Sequence, residues 1–193
     1  MANKNKVEFG LSQVHVGTYE YDINTGEVTL GDPMTVPGAV SLSLDVDTED
    51  YKFYADDVVY YSSITDNGES GELTMANFPD EFKLNFLPYK KLEDGGLAKI
   101  KGERAKDVYI AFEGKGDKHK RRHILFNVAL GAIKREHKTI EGSEEVEVET
   151  IGVTLTGDTK SGVVKISYSE GDAGYETVFT SPVISKVTES PGV

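Results

Sequence analysis

Residues 40–47 alternate without a break, Val40, Leu42, Leu44 and Val46 against Ser41, Ser43, Asp45 and Asp47. A period of two sends successive side chains to opposite faces of a strand, so this stretch predicts one face on a core and one in water. Immediately beyond it the rule changes. Phe53-Tyr54-Ala55-Asp56-Asp57-Val58-Val59-Tyr60-Tyr61 carries β-branched and aromatic residues on both parities, with two adjacent carboxylates in the middle. Neither face of the implied strand reads as solvated. Two readings stay open: a strand buried on both sides within one chain, or a strand whose second face or edge meets another copy.

Strand signals dominate the rest of the chain. Gln13 to Asp22 changes parity near Gly17, which predicts a bulge there, and Asn24-Thr25-Gly26 marks a turn before Glu27 to Leu30. Gly31-Asp32-Pro33 and Pro37-Gly38 bracket a short segment. Asp45 to Asp50 is acidic enough to suggest a calcium loop, but it lacks the glycine and distal glutamate such loops need, so a solvated turn is expected. Tyr51 to Thr65 is then expected to close at Asp66-Asn67-Gly68, since Asn-Gly accepts the positive φ of a tight hairpin turn, with Gly71 to Phe78 running back.

One helix is predicted. Pro79 suits a first turn, Asp80 and Glu81 suit the positive end of the helix dipole, Phe78, Phe82 and Phe86 recur every four residues, and Pro88 ends the run. Its apolar stripe reads as core rather than as a ligand pocket, because nothing polar converges on it. Lys90 to Lys106 reads as an exposed loop or short hairpin. Further strands are expected at Lys106 to Glu113, with Val108, Ile110 and Phe112 in phase, and at His123 to Leu130, with Ile124, Phe126, Val128 and Leu130 in phase. Glu144 to Gly157 follows with a bulge about Thr150-Ile151-Gly152, then Val163 to Tyr168 and a short strand over Tyr175 to Phe179. The fold class is therefore mainly β and antiparallel, with about ten strands and one flanking helix. One domain is expected over residues 1–180, and the aperiodic segment 181–193 is expected to be flexible alone or ordered on assembly.

Charge narrows the partners. Thirty-three acids against 21 Lys and Arg give a net charge of −12, which disfavours stable binding of nucleic acid or an anionic membrane. With no cysteine there is no disulfide framework and no thiolate chemistry, and the N-terminal residues lack the apolar stretch of a signal peptide, so folding in the cytoplasm is expected. The four histidines form no His-x-His or His-Glu-x-x-His set, and there is no nucleophile elbow or phosphate loop. No catalytic, metal or cofactor site is therefore assigned, and an enzyme is the unsupported reading.

Two charged features bear on assembly. The cationic run from Lys115 to Arg122, including Lys118, Lys120, Arg121 and Arg122, reads as a solvated turn or as a patch that pairs with an acidic surface of a neighbouring subunit. Glu145, Glu147 and Glu149 form a carboxylate row on one face of the implied strand. Like charges so close are costly unless hydrated, so the row is expected to face water or a channel.

Taken together, Val36-Pro37-Gly38-Ala39 with Leu42 and Leu44, Phe53-Tyr54-Ala55-Asp56 with Tyr60-Tyr61, Gly68 and Gly71 with Leu73, Pro79-Asp80-Glu81-Phe82 and Arg122-His123-Ile124-Leu125-Phe126-Asn127 resemble the major tail proteins of long, flexible-tailed bacteriophages. Val7-Glu8-Phe9-Gly10-Leu11 fits the same resemblance, and from about Lys134 onward only compatible strand patterning remains. The resemblance implies a tail-tube fold, an antiparallel β-sandwich or partly closed barrel with one helix and long loops. It further implies a non-enzymatic structural role in the virion tail. Six copies would form a ring and rings would stack into a tube that conducts DNA in passage only, with no membrane partner and no cofactor. Its other partners would be the tape measure, distal tail and tail terminator proteins.

On that resemblance Phe53, Tyr54, Asp56, Asp57, Tyr60, Tyr61, Lys118, Lys120, Arg121 and Arg122 become candidates for intersubunit or ring-stacking contacts, and Glu145, Glu147 and Glu149 for the lining of the bore. The alternative from another class is a virion-attached or secreted β-sandwich that binds carbohydrate through exposed tyrosines, although the chain has no Trp.

Overall fold

The computed structural model describes residues 10–114, 120–137 and 147–185. In chain order the elements are β1 (Leu11–Asp22), β2 (Glu27–Leu30), β3 (Met34–Thr35), β4 (Ala39–Ala55), β5 (Val58–Met75), α1 (Asp80–Phe86), β6 (Tyr89–Lys91), β7 (Leu97–Lys99), β8 (Asp107–Gly114), β9 (Arg122–Arg135), β10 (Glu149–Leu155) and β11 (Lys165–Tyr168). All pairings are antiparallel, in the order β2-β1-β8-β9-β10-β5-β4, with β3 on β1, β11 on β9, and β6 and β7 in a separate hairpin. The mainly β, antiparallel expectation with one helix holds, and among the described residues no pairing joins β4 back to β1 or β2, so the sheet is not closed into a barrel.

The main core explains the curvature. Inward residues of β1 (Val14, Val16), β5 (Leu73, Met75), β8 (Val108, Ile110), β9 (Leu125, Val128) and β10 (Ile151, Val153, Leu155) form one cluster with Phe78, Phe82 and Phe86. The helix thus fills the concave side of the sheet, and its stripe is core as expected. It starts at Pro79 and ends at Leu87, where the extended backbone leads into Pro88.

A second cluster lies on the opposite face of β8 and β9. Tyr109, Ala111, Ile124 and Phe126 are covered there by Val178, with Phe179 and Ile184 packed beside it. Consequently β8 is buried on both faces, and the single in-phase stripe expected for β9 breaks at Asn127, whose φ of 51° changes the parity. Ile124 and Phe126 face the outer cluster while Leu125 and Val128 face the inner one. Tyr175 to Phe179 is no strand: Tyr175 N–H donates to Asp172 O and Val178 N–H to Gly174 O, so Tyr175 and Val178 point inward at turn spacing.

Two expected bulges are displaced. In β1 the irregularity lies between Ser12 and His15, with Gln13 at φ 52°, not at Gly17. Gly17 serves another need, because a Cβ there would stand 2.3 Å from the Tyr109 hydroxyl. Tyr109 is fully buried and donates its hydroxyl to Gly31 O at 2.7 Å. Gly17→Ala should therefore force this ring out of place and cost about 2 kcal/mol, the usual cost of overpacking, as read by denaturant unfolding; an unchanged midpoint would show that the ring can yield. In the β9–β10 pair the extra residue falls in β9, where Leu130 and Ile133 flank two residues against one, Gly152, in β10.

Candidate assembly surface: the β4–β5 arm

The hairpin of β4 and β5 spans 17 and 18 residues, yet β10 pairs with β5 only from Glu69 to Met75. Beyond Val46 and Glu69 the two strands continue alone to their turn. At about 3.3 Å per residue this makes an arm roughly 30 Å long. Asp45 to Asp50, expected as a turn, is continuous strand within it.

The turn is Asp56-Asp57, where both residues have positive φ, 50° and 62°. That is the combination a two-residue hairpin demands, and Asp tolerates it better than most non-glycine residues. Asn67-Gly68, expected as the turn, is instead an irregularity inside β5, facing the single residue between Val46 and Thr48. Gly68 sits at φ 110°, and a Cβ there would come 2.6 Å from Leu155 O. A bulge at this point raises the local twist where β10 ends, so it marks the root of the arm.

Register assigns the faces. Tyr51, Phe53, Val58 and Tyr61 share one side, and Tyr54, Val59 and Ile64 share the other with Asp50, Lys52 and Ser62. Tyr60 is the extra residue opposite the Phe53–Tyr54 step, and its ring meets Phe53 edge-on at 6.5 Å. The stretch is therefore two strands, not one, and its apolar residues are not core. Tyr60 is 76% exposed, Ile64 74% and Tyr54 61%.

Eight large apolar side chains of the arm are exposed, from Tyr51 to Ile64. Together they present on the order of 1,000 Å², divided between the two faces. A lone two-stranded ribbon is marginal in water. Among the described residues its outer edges are open as well: β4 is the last strand of the sheet along its whole length. The arm is acidic, with eight carboxylates against Lys52 between Asp45 and Glu69. At its base Asp45, Asp47 and Glu49 are all exposed and share one face of β4.

Of the cationic candidates, Lys118 lies outside the described residues, Lys120 is exposed and Arg121 is half-buried. Arg122 is engaged inside the chain. Its Nε donates to Glu113 at 3.0 Å, one terminal nitrogen donates to Tyr175 O at 2.6 Å, and the guanidinium lies over the Tyr175 and Phe179 rings. It fastens the β8–β9 hairpin to the C-terminal turns.

The carboxylate row does not form as one hydrated face. Glu145 lies outside the described residues, and Glu147 pairs with Arg135 and His137 at 3.5 and 3.3 Å. Glu149 is buried, accepting the Phe78 N–H at 2.6 Å and facing Lys83 at 3.4 Å and Arg135 at 3.5 Å. The reading of Glu149 as solvated is thus corrected: it neutralises two cations and satisfies the amide that precedes α1.

A cationic surface that the sequence did not single out lies at the other end of the sheet. Pro88 to Lys106 holds six Lys and Arg against three acids, all six cations being exposed. The segment closes on itself through Ile100 N–H to Pro88 O and is tied to the end of α1 by Lys106 N–H to Phe86 O. With Leu130 to Ile133 of β9 it borders a cleft of about 500 Å³.

Comparison with known proteins adds likenesses of chain course. No protein-family model and no curated protein matches the sequence. Among solved structures, a chain of the PVC sheath-tube complex, an extracellular contractile injection system in its extended state, is similar at 12% identity and a TM-score of 0.43, over 85% of this chain and 93% of that one. A chain of the anti-feeding prophage tube-terminating cap is similar at 15% identity and a TM-score of 0.41, over 88% of this chain and 97% of that one. Among the described residues no group of three or more His, Asp or Glu is placed to hold a metal, and no helix is long and apolar enough to cross a membrane.

Proposed function

We propose that this chain is a self-assembling structural subunit of a phage-type tail tube. The observation that carries the reading is the arm, a ribbon with apolar side chains exposed on both faces and open strand edges, which isolation in water leaves unsatisfied. Copies joined laterally by strand edges would close a ring, and copies joined end to end would extend a filament, because a head-to-tail contact that does not close is open-ended. Hexameric rings, conduction of DNA and contact with tape measure, distal tail and terminator proteins complete the proposal, on the resemblance in residues 36–127. The bore then needs carboxylates that repel phosphate rather than bind it. Asp45, Asp47 and Glu49 meet that need better than the buried Glu149, since all three are exposed on one face.

The test is direct. Purified protein at rising concentration should give rings or tubes under negative stain. Tyr60→Lys should leave thermal unfolding unchanged, since the side chain is 76% exposed, while abolishing ordered particles. A wild-type chain that stays monomeric at high concentration, or a Tyr60→Lys variant that assembles as well as wild type, overturns the reading.

A further inference from the structure

We infer that the distal part of the arm docks in the cleft beside β6, β7 and the end of β9 of a second copy, making a head-to-tail contact. The inference rests on the self-assembly reading and names the surface that receives the arm.

Direction comes first. Along β9, Arg122 lies beside Glu113 of β8 and the Arg135 end lies beside Glu149 of β10. The arm leaves the sheet where Leu155 pairs with Glu69, at the level of Val128, and runs past the Arg122 end. The cleft lies the other way, against Leu130 and Ile133. An arm roughly 30 Å long that points away from its own cleft cannot fold back into it within a sheet of this register. It can reach only a neighbour's cleft. Every copy then gives an arm at one end and receives one at the other, and repetition builds a filament.

Chemistry comes second. The cleft has an apolar lining that includes Leu87, Ile100, Leu130 and Ile133, with Lys99 and Lys101 on its border. Among the described residues neither lysine has an ion-pair partner. The arm offers the complement: Tyr54, Tyr60 and Val59 near the tip, and Asp56 and Asp57 at the turn itself. The two carboxylates of the turn meet a segment of six cations and three acids in a chain that is otherwise strongly acidic. Charge matching of this kind sets register and favours one pairing over others. A volume of about 500 Å³ admits a few aromatic side chains rather than a whole element, as a docking tip requires.

The chain has no cysteine, so introduced thiols report without background. The double variant Ala55→Cys with Glu103→Cys, which places one thiol beside the turn and one on the cleft and spares the side chains named above, should after assembly and treatment with a short bismaleimide run as a ladder of covalent dimers, trimers and higher multimers. Each single variant should stop at the dimer or below. Separately, Lys99→Glu with Lys101→Glu should raise the concentration needed for assembly tenfold or more, with unfolding unchanged. Particles visible by electron microscopy but no ladder would overturn the docking while leaving self-assembly standing. Absence of particles from wild type would overturn both, and unchanged assembly of the double lysine variant would remove the charge matching on which the docking depends.

Discussion

Phe82→Ala should lower stability by about 4 kcal/mol and the melting temperature by roughly 10 °C for a chain of this size. Phe82 is fully buried at the middle of a row, its ring centroid 4.9 Å from that of Phe78 and 5.3 Å from that of Phe86. The cluster it anchors receives side chains from β1, β5, β8, β9 and β10. Deleting the ring removes its packing against Phe78 and Phe86 and leaves a cavity that strands fixed by ladder hydrogen bonds cannot collapse to fill. Leu84 on the same helix is 37% exposed and lies outside that cluster, so Leu84→Ala should cost no more than about 1 kcal/mol. Denaturant unfolding of the two variants checks the contrast. A Phe82→Ala loss no larger than that of Leu84→Ala would mean that α1 is not what the sheet curls around.

Much of this arrangement was legible in the sequence where local pattern and tertiary environment agree. The Phe78-Phe82-Phe86 spacing, the flanking prolines, the Asn24-Thr25-Gly26 turn and the short hairpin within Lys90 to Lys106 all stand in the structure. Misreadings arose where one residue type serves two geometries. Asn67-Gly68 offers positive φ, which a hairpin turn needs and a bulge at the root of an arm needs equally, while Asp56-Asp57 supplies the turn with a weaker signature. Gly17 was legible as exceptional, but only the distant Tyr109 says why. The Asn127 parity change is invisible because both faces of β9 are apolar, so a slip in phase leaves no polar residue out of place.

The arm was legible in part for the same reason. Apolar residues on both parities at Phe53 to Tyr61 signalled an unusual strand, and the structure resolves the signal into two strands with both faces bare. The segment at the opposite end reads from sequence only as a charged loop or short hairpin, because its cations are spread among acids between Lys90 and Lys106 and form no run. Such a patch exists only once the chain has folded back on α1.

Glu149→Leu should cost about 3 kcal/mol, the usual penalty for removing one partner of a buried ion pair. Its carboxylate carries three partners at once: the Phe78 amide at 2.6 Å, Lys83 at 3.4 Å and Arg135 at 3.5 Å. Leucine would strand a buried N–H between β5 and α1 and leave the half-buried Lys83 ammonium without its counter-charge. Glu149→Gln separates these terms, because the amide oxygen can still accept from Phe78 while the charge is lost; its cost should be about half, near 1.5 kcal/mol. Glu149 pairs with Met75, at the end of β5 furthest from the root of the arm at Glu69, so its loss bears on the junction between the sheet and α1 and not on the arm. Under conditions where the variant remains fully folded, the concentration needed for assembly should therefore match that of wild type. Equal unfolding midpoints for wild type and Glu149→Leu would show that the three contacts contribute nothing net. A folded Glu149→Leu variant that needs a higher concentration to assemble would show instead that a disturbance at Met75 reaches the root of the arm along β5.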